Sequence, residues 1–312
     1  MPIHEKDPWR AQYFDGVPCP RQVHIPTDDA LAYELYPAHR WVYNKLLVAE
    51  SQGLACGAGA TVPAQFPVFS KPITNLRGMG VGSRLVRSLA EFRSAGGEEN
   101  FWSVYLTGSH VSTDWAIVAG EPVWCRHARG IPAAGGTFDY WVIEAGRREP
   151  MEYYCRRWIR AHLRGYTGML NLETIGGRII EVHLRFADQW PDLYGGRWIE
   201  SLVTLYGRGS WSFADRERRD GYSVVLFGPH GVRYRYPHAR LLQRYREVGG
   251  VTSVQVTFFQ HLPPAAHAMP PGGFRLAVIN CTRLSAGLAL RARMAADFGL
   301  GMRRDHVRPP WA

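Results

Sequence analysis

The stretch Met169-Leu170-Asn171-Leu172-Glu173-Thr174, followed after Gly176-Gly177 by Arg178-Ile179-Ile180-Glu181-Val182-His183-Leu184-Arg185, decides how this sequence is read. Two runs rich in Ile, Leu and Val flank a Gly-Gly pair, which predicts a β-hairpin. Side chains alternate across a strand, so Glu181, His183 and Arg185 share one face, opposite Val182 and Leu184. A carboxylate and an imidazole there can hold a divalent cation, and an arginine two residues on can meet a phosphate or a carboxylate. Asn171 and Glu173 on the partner strand can add an oxygen ligand. The register across the glycines is open, so either of them can face Glu181. Taken alone, an alternating polar face also serves as plain solvated strand surface.

Upstream, Phe66-Pro67-Val68-Phe69-Ser70-Lys71-Pro72 is an apolar run that predicts a strand carrying a lysine. Asn75-Leu76-Arg77-Gly78-Met79-Gly80-Val81-Gly82-Ser83 follows as a loop whose alternate glycines permit unusual backbone angles. A strand lysine backed by flexible N–H groups can neutralise and cradle phosphates. The spacing is neither the P-loop pattern, since the lysine precedes the glycines, nor the GxGxxG fingerprint. The chain has 34 arginines but only three lysines, Lys6, Lys45 and Lys71. A lysine kept within a motif of so arginine-rich a chain indicates a need for a compact ammonium, not a guanidinium fork.

The remaining pattern predicts an α+β protein. Residues 27–53 suggest helix, with Leu46, Leu47 and Ala49 on an apolar face and Gly53 as the stop. Residues 101–106 and 111–118 read as strands joined by Thr107-Gly108-Ser109-His110, and residues 149–164 as a helix. Further strands fall at 222–227, 251–259 and 274–280, with a last helix at 284–298. This order of helices and strands does not fit a doubly wound sheet.

The lysines, the glycine loop and the Glu-x-His-x-Arg strand, in this order, resemble the ATP-grasp superfamily over roughly residues 40–200. Two of the three lysines fall at the family's lysine positions: Lys45 in YNKLLVAESQGL, and Lys71 in FPVFSKP before the glycine loop. The resemblance implies two α+β subdomains clasping a nucleotide. It divides the chain into an arm at 1–40, a core at 41–204 with a lid at about 62–106, and a basic α+β region at 205–312 that binds substrate or completes the fold. It also implies residue roles. Lys71 and Lys45 would bind ATP phosphates, and Gly78, Gly80 and Gly82 would close over them. Ser103, Val104, Tyr105 and Leu106 would hold adenine, and His110 would meet the ribose. Glu181, with His183, Glu173 and Asn171, would hold Mg2+, or Mn2+. Arg185, together with Lys71, would act on the transferred phosphoryl group. The implied activity is that of an ADP-forming ligase, which activates a small carboxylate as an acyl phosphate for attack by an amine or similar nucleophile. The alternatives are an ATP-grasp kinase and a non-catalytic protein that binds nucleotide or nucleic acid. His183 departs from the family's asparagine, and the separation of Glu173 from Glu181 is short for the family.

Composition sets the outer bounds. With 46% hydrophobic and 21% charged residues the chain can build a core, which argues against disorder. No run of 18 apolar residues is present, and the first twenty residues lack a signal peptide's apolar run, so a cytoplasmic protein is expected. Five scattered cysteines, none in a CxxC pair, fit free thiols. The net charge of +10 sits in the last third, where residues 205–312 hold 16 arginines against six acids. That field would draw in an anionic partner, whether a phosphate ester, a carboxylate or nucleic acid. Arg233, Arg235, Arg240, Arg244 and Arg246 alternate with tyrosines, read as a strand face with packed tyrosines and wet arginines in preference to a nucleic-acid surface.

Overall fold

The computed structural model describes residues 7–76, 80–94 and 99–300. Among the described residues, twelve strands form two antiparallel sheets. The smaller comprises β1 (Cys56–Ala58), β2 (Val68–Pro72), β3 (Arg84–Val86) and β4 (Asn100–Val104), in the order β1-β4-β2-β3. The larger contains β5 (His110–Val118), β6 (Glu121–Pro132), β7 (Phe138–Glu144), β8 (Gly168–Ile175) and β9 (Arg178–His183). The strands β10 (Gly221–Gly228), β11 (Val251–Val256) and β12 (Phe274–Cys281) extend the same sheet, so the last third is continuous with the middle of the chain. Its full order is β11-β12-β10-β7-β6-β5-β8-β9.

Alternation along β5 shows how the larger sheet is covered. Trp115 and Ile117 face one side, where they join Met151, Cys155, Trp158 and Ile159 of the Glu149–His162 helix. Those helix positions recur every three to four residues and form one apolar stripe. Ala116 faces the other side, with Trp124, Trp141, and Trp198 and Leu202 of the Trp198–Arg208 helix. Leu290 and Met294 of the Leu284–Asp297 helix pack on Val224, Ile279 and their neighbours at the far end. The small sheet has only a modest core of Val68, Val86 and Trp102.

Several expectations are corrected. Residues 27–53 are not one helix but Asp29–Leu35, a 3-10 turn at Arg40–Tyr43, and Lys45–Glu50. Pro37 accounts for the break, because it disfavours helical angles at Tyr36 and supplies no N–H. Asn44 restarts the helix by accepting the Leu47 N–H at 3.0 Å. The strands read at 101–106 and 111–118 do not pair: β4 belongs to the small sheet and β5 to the large one. Residues 105–109 therefore cross between sheets. The Arg/Tyr stretch is no strand face but a loop followed by the Ala239–Arg246 helix; Tyr234 and Tyr245 are buried as expected, whereas Tyr236 is exposed.

The predicted hairpin is present, and its turn meets the crossing segment. Gly176 has φ +56°, and a Cβ there would lie 2.3 Å from the Thr107 carbonyl oxygen. Its N–H donates to Ser109 O at 3.3 Å. Only glycine fits both that backbone region and that approach. The register is Glu173 opposite Glu181 and Asn171 opposite His183, with an irregularity between Glu173 and Thr174.

Candidate active site

The two lysines come from different elements and converge on β9. Lys45 begins its helix just after the Asn44 cap, and its own N–H donates to Ile73 O at 2.8 Å. Its Nζ donates to Glu181 Oε1 at 2.6 Å. Lys71, on β2, donates from Nζ to the Ile180 carbonyl at 2.7 Å and lies 5.8 Å from the Phe101 ring centroid. Both are buried, at 7% and 5% exposure. Burial, with the neighbouring Lys45 charge, pushes the Lys71 ammonium down to about 8 although Glu181 and Glu173 pull it up. A buried lysine with one carbonyl partner has unused donors for an anion.

Glu173 and Glu181 face one another across the hairpin. Burial pushes Glu173 up, but the His110 hydrogen bond at 2.9 Å and the charges of His110, His183 and Arg185 outweigh it, leaving about 2. Burial opposes ionisation of Glu181 too, and the Lys45 charge, with Lys71 and His183, brings it below the usual range. Both carboxylates are thus anions poised to accept a cation. His110 stands edge-on to Phe138 and Trp141, with ring centroids 5.0 and 5.7 Å away.

Between the carboxylates points His183, only 4% exposed. Its Nδ1 lies 3.0 and 3.1 Å from the two oxygens of Asp29, while its Nε2 is buried without a hydrogen-bond partner. That nitrogen is 3.6 Å from Glu181 Oε2 and 3.9 Å from Glu173 Oε1. Asp29 also accepts from Arg185 Nη2 at 3.0 Å and from the Tyr43 hydroxyl at 3.2 Å. Burial works against its charge, and Arg185 and His183 more than offset that, holding Asp29 far below the ordinary range. Each of these groups is a type that ligates divalent ions, but as placed their donor atoms do not all lie within 4.8 Å of one another.

The other expected residues fall as follows. Asn171 is fully buried and donates its amide to Ser112 Oγ at 2.8 Å and Asp114 Oδ1 at 2.7 Å, inside the sheet. Asp114 also accepts from the Tyr194 hydroxyl at 2.7 Å and from the Ala187 N–H at 2.9 Å. Burial lifts Asp114 to about 6 despite these donors. Gly80 and Gly82 have φ +64° and +78° in the segment joining β2 to β3, and Gly78 lies outside the described residues. Ser103 and Val104 end β4, and Tyr105 and Leu106 begin the crossing, with Tyr105 exposed.

Sequence reasoning missed Asp29 and Asp114. Asp29 reads as an ordinary acid in a first helical turn, and nothing local announces its distant partners, His183 and Arg185. Asp114 did carry a signal, as a lone acid in the apolar strand VSTDWAIV. A further group, Cys125, His127 and Glu152, is buried beneath the Glu149–His162 helix. There both imidazole nitrogens are already engaged, by Thr113 Oγ1 and Glu152 Oε1 at 3.0 Å each, so the cluster is satisfied as core.

No protein-family model matches the sequence, and no curated protein matches it. Solved structures do. An L-amino acid ligase from Bacillus licheniformis matches with a TM-score of 0.58 at 12% identity, over 93% of this chain and 82% of its own. N5-carboxyaminoimidazole ribonucleotide synthetase from Thermus thermophilus matches with a TM-score of 0.56 at 17% identity, over 99% of this chain and 82% of its own. The biotin carboxylase domain of Hydrogenobacter thermophilus 2-oxoglutarate carboxylase, in complex with MgADP, ADP and bicarbonate, has a TM-score of 0.56 at 13% identity, over 82% of this chain and 67% of its own. The chain shares its fold with these structures, in keeping with the fold that the ATP-grasp resemblance implies.

Proposed function

We propose that this chain is an ATP-dependent ligase that activates a small carboxylate as an acyl phosphate and passes the acyl group to an amine or similar nucleophile. The observation that carries the reading is the meeting of Lys45 and Lys71 with Glu173, Glu181 and His183, beside the segment that crosses between the two sheets. A carboxylate is a poor electrophile. Transfer of the γ-phosphoryl group to one carboxylate oxygen releases ADP and supplies a leaving group. Attack by the amine nitrogen on the acyl carbon then expels phosphate.

Lys71 and Lys45 would offset phosphate charge from buried positions, where a fixed cation acts more strongly than in water. Arg185, held by Asp29, would face the charge that develops on the transferred group. Gly80 and Gly82, with Gly78, would cover the phosphates, and Ser103, Val104, Tyr105 and Leu106 would seat the adenine. His110 would meet the ribose. Glu181, Glu173 and His183 would hold Mg2+ or Mn2+, with Asn171 bracing the hairpin through Asp114. The ion, when bound, would neutralise phosphate oxygens. No protein nucleophile is required. The arginine-rich last third would favour an anionic acid.

Trapping tests the reading. With ATP, divalent metal, hydroxylamine and a panel of amino acids and small carboxylates, an accepted acid is expected to yield its hydroxamate in step with ADP. ADP formed in step with a phosphate ester, and no hydroxamate, would contradict the ligase.

A further inference from the structure

We propose that the exposed arginines of residues 233–246, with Tyr236, bind a single strand of nucleic acid, the arginines on its phosphates and the tyrosine ring stacked on a base. This surface is built on β11 and β12, at the opposite edge of the large sheet from β9. It stands apart from the nucleotide site proposed above and does not depend on it.

Three observations carry it. First, the cations here are free. Residues 229–250 hold Arg233, Arg235, Arg240, Arg244 and Arg246 against one acid, Glu247, which accepts from Gln243 Nε2 at 3.0 Å. All of these arginines are exposed, and among the described residues none forms an ion pair; Arg246 instead donates to Gln12 Oε1 at 3.3 Å. Elsewhere arginines are commonly matched, as Arg126 is by Asp215, Arg148 by Glu144 and Arg160 by Glu121.

Second, Arg240 stands where folding alone disfavours it. It falls in the first turn of the Ala239–Arg246 helix, at the positive end of the helix dipole, and shares a face with Arg244 one turn on. Both placements cost stability, and no acidic partner among the described residues offsets them. A polyanion would.

Third, Tyr236 is a prepared platform. Of the tyrosines in this stretch, Tyr234 and Tyr245 are buried, whereas Tyr236 is 37% exposed. Phe258 backs its ring, with centroids 6.0 Å apart, and its N–H donates to Gln260 Oε1 at 2.6 Å. The Arg246 charge acts on its hydroxyl, so cation and ring lie side by side. Free arginines beside a held aromatic ring suit a single strand: phosphates meet the cations, and every base offers a π face. A duplex keeps its bases stacked away from the ring, and an acidic protein would leave the ring unused.

The test measures fluorescence anisotropy of labelled single strands of about 15 nucleotides, one DNA and one RNA, with the full chain. A duplex of the same sequence and polyglutamate as competitor serve as comparisons. The single strands are expected to bind with a logarithmic salt slope of about −3, as four contacted phosphates give. Tyr236→Leu should weaken them about tenfold while leaving the salt slope and the duplex unchanged. Arg240→Gln with Arg244→Gln should flatten the slope by about 1.4. These side chains are exposed, so circular dichroism should match the wild type. Lys71→Ala should bind as the wild type does, which separates this surface from the nucleotide site. A preference for the RNA or the DNA strand assigns the source, and either supports the proposal. Duplex bound as tightly as single strand, equal competition by polyglutamate, or no binding at about 50 mM salt would overturn it.

Discussion

Lys71→Ala is expected to lower ATP turnover about 100- to 1,000-fold while leaving the chain folded, as measured by steady-state ADP release and circular dichroism. The asymmetry follows from where the lysine sits. The residue is 5% exposed and its ammonium has one neutral hydrogen-bond partner, so folding gains little from it. Phosphate binding, under the proposed role of Lys71, would gain a great deal. Lys71 also carries a pH signature. Its ordinary value of 10.5 falls to about 8 in the fold, through burial and Lys45. Between those values the folded chain binds fewer protons than the unfolded one, so stability from this group rises with pH over that window. Nucleotide affinity runs the other way: phosphate favours the ammonium, so affinity should be greatest below about pH 8 and weaken as pH rises above it. The Lys71→Ala variant should lose that slope. A variant with wild-type turnover would remove Lys71 from the nucleotide site.

Asp29→Ala is expected to cost about 3–5 kcal/mol in urea unfolding, because it strands a half-buried arginine and a buried imidazole. Arg185 and His183 Nδ1 would lose their carboxylate together, and Tyr43 would lose its acceptor. Asp28 supplies the internal control. It caps the same helix by accepting the Leu31 N–H at 2.8 Å, and its removal should cost about 1 kcal/mol. The pH dependence has a definite sign as well. Asp29 is held below its ordinary 3.8, chiefly by Arg185 and His183 acting against burial. Its contribution is therefore fully present above pH 3.8 and is lost as pH falls through the lower folded value. Equal losses for Asp28→Ala and Asp29→Ala would mean that the buried network contributes nothing special.

Local chemistry made part of this architecture legible. Gly176-Gly177 announces its hairpin, because a tight turn between β-branched runs has few other solutions. Lys71 on an apolar strand before a glycine loop, and the Glu-x-His-x-Arg alternation, were readable for the same reason: each is a short, local pattern. Pairings over distance were not. β4 and β5 look like neighbours in sequence yet lie in different sheets, since nothing local distinguishes a short crossing from a hairpin loop. β6, β7 and the Trp198–Arg208 helix escaped the reading because they carry no comparable local motif. The hairpin register needed the structure as well, and it placed the two glutamates opposite each other. Asp29 shows the limit most clearly. Its function is set by His183 and Arg185, and their meeting depends on how the helix before Pro37 packs against β9.

The central claim is a metal-dependent nucleotide site between Lys71 and the hairpin, and thermal unfolding with ATP, ADP and AMP, each with and without Mg2+ or Mn2+, tests it most directly. ATP and ADP are expected to stabilise the chain only when metal is present, by about 2.7 kcal/mol at a hundredfold excess over the dissociation constant, and AMP far less. An unchanged melting temperature with every nucleotide and metal would contradict the account.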